Sequence, residues 1–213
     1  MYKLYGFCAS NYYNMVKLAL MEKGLKFEEI LSPPSQEETY LVRSPMGKVP
    51  CLETDEGPLI ETSVILDYLE DISGGSSFYP SDAYEKAKVK ELIKSTELYL
   101  ELVARRLLGE VFFGAPVNED LRVEVKADLE KGIIALNKLL KFEPYAAGEN
   151  YTYADIMLYY SVTLSMAVAK QALNLNLIDL MPGVGEWMKM MNKNPLIQQV
   201  NVDRDAALKA MAG

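Results

Sequence analysis

Along the chain, apolar positions follow two different periods. Lys3 to Tyr5 reads as a short opening strand ended by Gly6, and between Tyr12 and Lys23 the apolar residues Met15, Leu18, Ala19 and Met21 recur at helical spacing. In that helix Lys17, Glu22 and Lys23 are expected to face outward, and Gly24 stands where a helix C-cap is wanted. Leu25 to Glu28 alternates like a half-buried strand, Ser32-Pro33-Pro34-Ser35 forms a loop, and Glu37 to Val42 suits a short helix. Two strands joined at Asp55-Glu56-Gly57 follow. After them comes a helix from about Thr62 to Ile72 with Ile65, Leu66, Leu69 and Ile72 on one face. Beyond Ser73-Gly74-Gly75-Ser76-Ser77 the pattern becomes helical throughout. Helices are expected from Ala83 to about Val111, from Asn118 to Lys141, from Thr152 to about Leu173, and from Met181-Pro182-Gly183 through Trp187 to a stop at Asn194-Pro195. The weakly patterned tail from Val202 to Gly213 is expected to drape over the surface.

The order βαβ followed by ββα is that of a thioredoxin-like domain. The expected architecture is therefore an α/β domain over residues 1–75 and an all-α domain over residues 83–213, with Phe78-Tyr79-Pro80-Ser81-Asp82 in the linker. At 213 residues the chain is long enough for one large domain or two small ones, and it can bury a sizeable core. Thr152-Tyr153-Ala154-Asp155 has the form of a capping box, with Tyr151 and Ile156 placed as a staple. Removing Asp155 is expected to cost about 1 kcal/mol or somewhat more.

Composition narrows the function classes. A net charge of −8 disfavours nucleic acid or an anionic membrane as the main partner, so an anionic ligand would have to be held by local geometry. The chain has no histidine, which removes imidazole as metal ligand or base, and no metal site is expected. Its two cysteines, Cys8 and Cys51, form no Cys-x-x-Cys pair. No window is apolar for long enough to span a bilayer, and the first residues are too few and too polar for a signal peptide, so a cytoplasmic location is expected.

Ser44 to Tyr68 carries the densest chemical signal. Pro50 follows Val49 at the entrance to an apolar strand, where its missing N–H is unwelcome. Glu61-Thr62-Ser63 then opens a helix whose free N–H groups and dipole favour an anion. Together these point to a small carboxylate ligand. Gly47-Lys48-Val49-Pro50 and Glu61-Thr62 closely resemble the glutathione-binding signature of the glutathione S-transferase superfamily, with threonine in place of the usual serine.

The resemblance implies glutathione as co-substrate, a cis bond before Pro50, and a homodimer acting on a small, hydrophobic electrophile. It further implies that the Val49 backbone meets the cysteinyl part of glutathione. Glu61 and Thr62 would take the γ-glutamyl end. Lys48 would reach the glycyl carboxylate or else remain a solvated lysine, with Gln36 as a weaker candidate for that place. Pro50 shapes the site, and Cys51 is expected as a small apolar strand residue.

The transferase reaction needs a thiolate. A free thiol has a pKa of about 8.5, and lowering it by about two units takes roughly 2.7 kcal/mol of anion stabilisation. A hydroxyl donor beside a helix N-terminus supplies energy on that scale. Ser10, in the loop Gly6-Phe7-Cys8-Ala9-Ser10-Asn11-Tyr12-Tyr13, stands where the bacterial and theta-like serine classes place their catalytic serine, and also suits a helix N-cap. Cys8 offers another route, thiol–disulfide exchange through a mixed disulfide. Tyr12 and Tyr13 are further phenol donors of the same loop, whereas Tyr5 resembles the donor of the tyrosine-using classes but is out of register by about one residue and reads more simply as a strand-end core tyrosine. Tyr99, Val103, Arg106, Phe112 and Phe113 are candidate walls for the electrophile, and equally candidates for plain core. A third reading keeps the fold and loses the chemistry, leaving a transferase-like interaction protein.

Overall fold

The computed structural model describes residues 1–212. The chain divides into two compact units: residues 1–77 together with the segment from Asn192 onward, and residues 78–191.

The first unit is built on a sheet ordered β2-β1-β3-β4. Its strands are β1 (Tyr2–Gly6), β2 (Phe27–Leu31), β3 (Cys51–Thr54) and β4 (Gly57–Leu59). β1 and β2 are parallel, connected through helix α1 (Asn11–Glu22), whereas β3 runs antiparallel to both β1 and β4. Helix α2 (Glu38–Leu41) is a single turn, and α3 (Thr62–Ile72) follows β4. The core lies where Leu4 and Leu52, paired across β1 and β3, meet Met15, Leu18 and Ala19 of α1 and Ile65, Leu66 and Leu69 of α3. All of these side chains are fully buried. The hairpin turn is closed by Thr54, whose Oγ1 accepts from the N–H groups of Glu56 and Gly57 and donates to the Gly57 carbonyl. α1 ends as expected at Gly24, with Leu25 N–H donating to the Leu20 carbonyl and Gly24 N–H to Met21.

Expectations about charge and about the tail fail in this unit. Lys17 and Lys23, read as outward-facing, have side chains only 3% and 2% exposed. Both are ion-paired: Lys23 with Glu70 of α3 at 2.6 Å, Lys17 with Glu29 at 2.8 Å and with Asp203 at 2.7 Å. Asp203 belongs to α11 (Pro195–Ala212), the segment expected to drape as a tail. The helix through Trp187 ends at Met191, and Asn194 Oδ1 accepts from Leu196 N–H with Pro195 in the first helical position, so the pair read as a helix stop also starts the next helix. α11 packs on α1 and groups with the first unit, where the sequence reading had placed it with the helical domain.

The second unit is helical. α4 (Ala83–Thr96) runs through a π-helical turn (Glu97–Glu101) into α5 (Leu102–Arg105). α6 (Leu108–Phe113), α7 (Glu119–Leu136), α8 (Tyr153–Ala172), α9 (Leu177–Leu180) and α10 (Val184–Met191) follow. The single helix expected from Ala83 to Val111 is thus interrupted at the π turn and again at Arg106–Leu107. α8 is the buried centre, and the capping box at its start is formed. Asp155 is fully buried and does more than cap. It accepts from Thr152 N–H at 2.9 Å, Ala146 N–H at 2.8 Å and Trp187 Nε1 at 3.0 Å. Burial raises its carboxyl pKa, against the pull of those donors. Among the described residues, no helix is long and apolar enough to cross a membrane, and no cluster of metal-ligating side chains occurs.

Candidate active site

Strand register brings the candidate segments to one end of the sheet. Tyr5 of β1 pairs with Cys51 of β3, so the loop leaving β1 towards Ser10 lies beside the entry to β3, where Pro50 stands. Leu52 pairs with Leu59, which returns the chain to that end just before Glu61 and Thr62. Ser10, Val49, Pro50, Glu61 and Thr62 therefore gather at the carboxyl end of β1, where an α/β sheet of this kind takes a ligand.

The segment before Pro50 is held from behind. The Lys48 carbonyl accepts from Ser44 Oγ at 2.8 Å and from Tyr40 Oη at 3.0 Å, while Lys48 N–H donates back to Ser44 Oγ at 3.2 Å. Gly47 has φ +65°, and a Cβ there would come within 2.3 Å of the Ser35 carbonyl and of Gln36 Nε2, so this tight turn admits only glycine. Gln36 donates to the Met46 carbonyl at 3.3 Å, which places it against the same loop. The Val49–Pro50 bond is cis, as the resemblance implied. The Lys48 side chain is exposed.

Glu61 is the conformational outlier of the site. It has φ 65° and ψ 112°, in a region that non-glycine residues rarely occupy. It precedes α3 with its side chain exposed and making no cap bond. Thr62, the first residue of α3, is buried. Such strain costs of order 1–3 kcal/mol and persists where the surroundings impose it. Glu61 supplies no side-chain cap to the first turn of α3, the end of a helix that favours an anion.

Ser10 caps α1, its Oγ accepting from Tyr13 N–H at 3.4 Å. Because that bond uses a lone pair, the hydroxyl proton remains free to donate elsewhere. The rival groups are differently engaged. Cys8 is half-buried with Sγ 3.9 Å from Glu29 Oε2, and burial raises its thiol pKa although Lys17 opposes the shift. Tyr13 is 1% exposed and donates to Glu29 at 2.7 Å; burial and that bond push its phenol far above the ordinary range. Tyr5 donates to Glu53 at 3.0 Å beneath the Arg43 guanidinium, and its pKa is raised by burial and by that bond. Cys51 is fully buried, its thiol pushed up to about 11 by burial. Sequence reasoning missed Tyr40, Ser44 and Asn14, which hold the loops in place. The available signal was weak, a polar residue recurring where the pattern is apolar.

The chain resembles known proteins over nearly its whole length. Residues 4–77 match the glutathione S-transferase N-terminal domain family, and residues 112–201 match the corresponding C-terminal domain family. A glutathione S-transferase from Pseudomonas putida is 46% identical over 210 residues, covering 99% of this chain and 96% of that protein. Glutathione S-transferase omega-1 from Sus scrofa is 27% identical over 87% of this chain and 74% of its own length. The crystal structure of a glutathione S-transferase from Pseudomonas fluorescens superposes with a TM-score of 0.76 at 28% identity, covering 92% of this chain and 96% of that one. On this sequence and structural evidence, the chain belongs to the glutathione S-transferase family and is an enzyme of that family, with glutathione as its co-substrate.

Proposed function

We propose that Ser10 donates its hydroxyl hydrogen bond to the glutathione sulfur and so holds it as the thiolate. The observation that carries this reading is that the Ser10 hydroxyl caps α1 as acceptor and keeps its proton, while Cys8, Tyr5 and Tyr13 are each engaged by an acid and raised in pKa. The thiolate then attacks the electrophilic carbon of a small apolar substrate, forming a C–S bond as the leaving group departs with its electron pair. The backbone of Val49, beside Pro50, takes the cysteinyl amide. The first turn of α3 at Thr62 takes the γ-glutamyl carboxylate, and the Glu61 carboxylate pairs with the ammonium. Lys48, exposed at the edge of the loop, is assigned to the glycyl carboxylate.

Residues 1–75 are assigned as the glutathione-binding domain, and the helical domain of residues 83–213, without α11, as the source of the electrophile site. The functional form is proposed as a cytoplasmic homodimer acting in detoxification. The test is a crystal structure with glutathione bound. Ser10 Oγ is expected within hydrogen-bond distance of the sulfur, and a sulfur resting on Cys8, or on neither residue, overturns the assignment. Sedimentation of the purified protein checks the dimer, a monomer at micromolar concentration arguing against it.

A further inference from the structure

Asn14 lies in the first turns of α1 with its side chain fully buried. It bonds twice to the loop that carries Ser10. Its backbone N–H donates to the Ser10 carbonyl at 3.0 Å, and its Nδ2 donates to the Cys8 carbonyl at 2.7 Å. Ser10 N–H in turn donates to the Phe7 carbonyl at 3.0 Å. The loop is thereby closed on itself and tied to the helix on both sides of Ala9. Its opposite wall is Tyr13, whose ring lies so close over Gly6 that a Cβ there would come within 2.3 Å of Cδ2. The Tyr13 phenol is anchored on Glu29, which also holds Lys17, itself paired with Asp203.

An amide is an expensive choice at a fully buried helical position. Asn14 Oδ1 is buried with no hydrogen-bonding partner, so half of the amide's capacity is desolvated without return. A leucine has the same branched skeleton and carries no such penalty. What the amide supplies, and a leucine would not, is the donor for the Cys8 carbonyl. Asn14 is also sealed from solvent, so it has no access to a ligand itself.

We propose that Asn14 is a positioning residue for Ser10: by holding the Cys8 carbonyl it sets the loop so that the Ser10 hydroxyl meets the glutathione sulfur. The inference rests on the assignment of Ser10 as the sulfur's donor. A hydroxyl displaced by a fraction of an ångström makes a poorer bond to the thiolate, whereas the γ-glutamyl contacts at α3 are untouched. Loss of Asn14 therefore acts on thiol ionisation and leaves affinity for glutathione nearly intact. Cys8, Tyr13, Lys17, Glu29 and Asp203, the titratable groups around the loop, are unchanged in the variant.

The experiment is a pH titration of the ultraviolet thiolate band of glutathione bound to four proteins: wild type, Ser10→Ala, Asn14→Ala and the double variant. Asn14→Ala is expected to lower the thiolate-to-thiol ratio at a fixed pH by about five- to tenfold, the equivalent of one hydrogen bond. Glutathione binding measured by calorimetry should barely change. In the Ser10→Ala background the second substitution should add nothing. A wild-type titration for Asn14→Ala overturns the inference, as does an equal drop with and without Ser10. If Ser10→Ala itself titrates like wild type, the Ser10 assignment fails and this inference falls with it. That result is distinct from an effect of Ser10→Ala with none from Asn14→Ala, which refutes only the positioning role. Should Asn14→Ala melt below the assay temperature, Asn14→Ser, which keeps a small polar group but lacks the reach to Cys8, is read in the same way.

Discussion

Tyr5 and Cys51 face each other across the antiparallel pair of β1 and β3. That pairing sets the chain leaving Tyr5 for Ser10 beside the chain arriving at Cys51 through Pro50. A one-residue slip would turn every side chain of β3 to the other face of the sheet. Fully buried Leu4 and Leu52, the next pair along, would then leave the core, so packing energy fixes the site's geometry.

Ser10→Ala should reduce kcat/KM by roughly 10- to 100-fold, the value of a hydrogen bond to a charged group. The glutathione dissociation constant should change little. The same substitution removes the α1 cap and should cost about 1 kcal/mol of stability. Steady-state kinetics and thermal melts check the two effects independently.

Glu61→Gly should have different effects on binding and folding. Glycine has no Cβ to clash at φ 65°, so partial relief of strain should offset its entropy cost and stability should not fall. Loss of the carboxylate should weaken glutathione binding by about tenfold or more, as expected for a charged hydrogen bond. Calorimetry of binding alongside denaturant unfolding measures both. A variant both weaker in binding and less stable would contradict the strain argument.

Cys8 should be a sluggish nucleophile. Its raised pKa means that the thiolate is scarcer at neutral pH than for an ordinary cysteine, and rises only in alkaline solution. Alkylation by iodoacetamide at pH 7 should be slower than that of a free thiol, with Cys51 slower still. Cys8→Ala should retain activity. Rapid alkylation with concurrent loss of turnover would revive the thiol-exchange mechanism.

Asp155→Ala should cost about 3 kcal/mol or more, well above an ordinary helix cap. It strands the buried N–H groups of Ala146, Thr152 and Trp187 together. Chemical unfolding followed by the fluorescence of Trp187, the chain's one tryptophan, reports both the loss and the change at the indole.

Lys17 gives a pH signature. Burial lowers its pKa, but the bonds to Asp203 and Glu29 outweigh that, and the net shift is upward. The folded state therefore holds the proton more tightly than the unfolded state. Its contribution is complete below the ordinary lysine range and is lost as pH rises through the raised value. Wild-type stability should fall in that alkaline window, and Lys17→Met should show a shallower fall from a lower starting point. A parallel decline in both proteins would refute it.

The features legible in the sequence were those written in neighbouring residues. The proline after Val49, the Asp55-Glu56-Gly57 turn and the box from Thr152 to Asp155 are local signals, and each lies where local chemistry placed it. Lys17 and Lys23 were misread because charge usually marks a solvated face, and only tertiary packing supplies the acids that allow them to be buried. Asn194-Pro195 was ambiguous by nature, since the same pair can close one helix or cap the next. Asn14 was invisible for a related reason: one polar residue in an apolar stripe does not disclose its partner.

The pairing of Lys17 with Asp203 also fixes an order of events during synthesis. The two residues are 186 positions apart. At about 5–20 residues per second, Lys17 waits on the order of ten seconds or more after leaving the ribosome before its second acid exists. Through that interval α1 lacks the helix that covers it, and the whole of residues 78–191 is made in between. The nascent first unit is thus an unfinished structure with a lysine partly unsealed, and it is completed only when α11 returns to it.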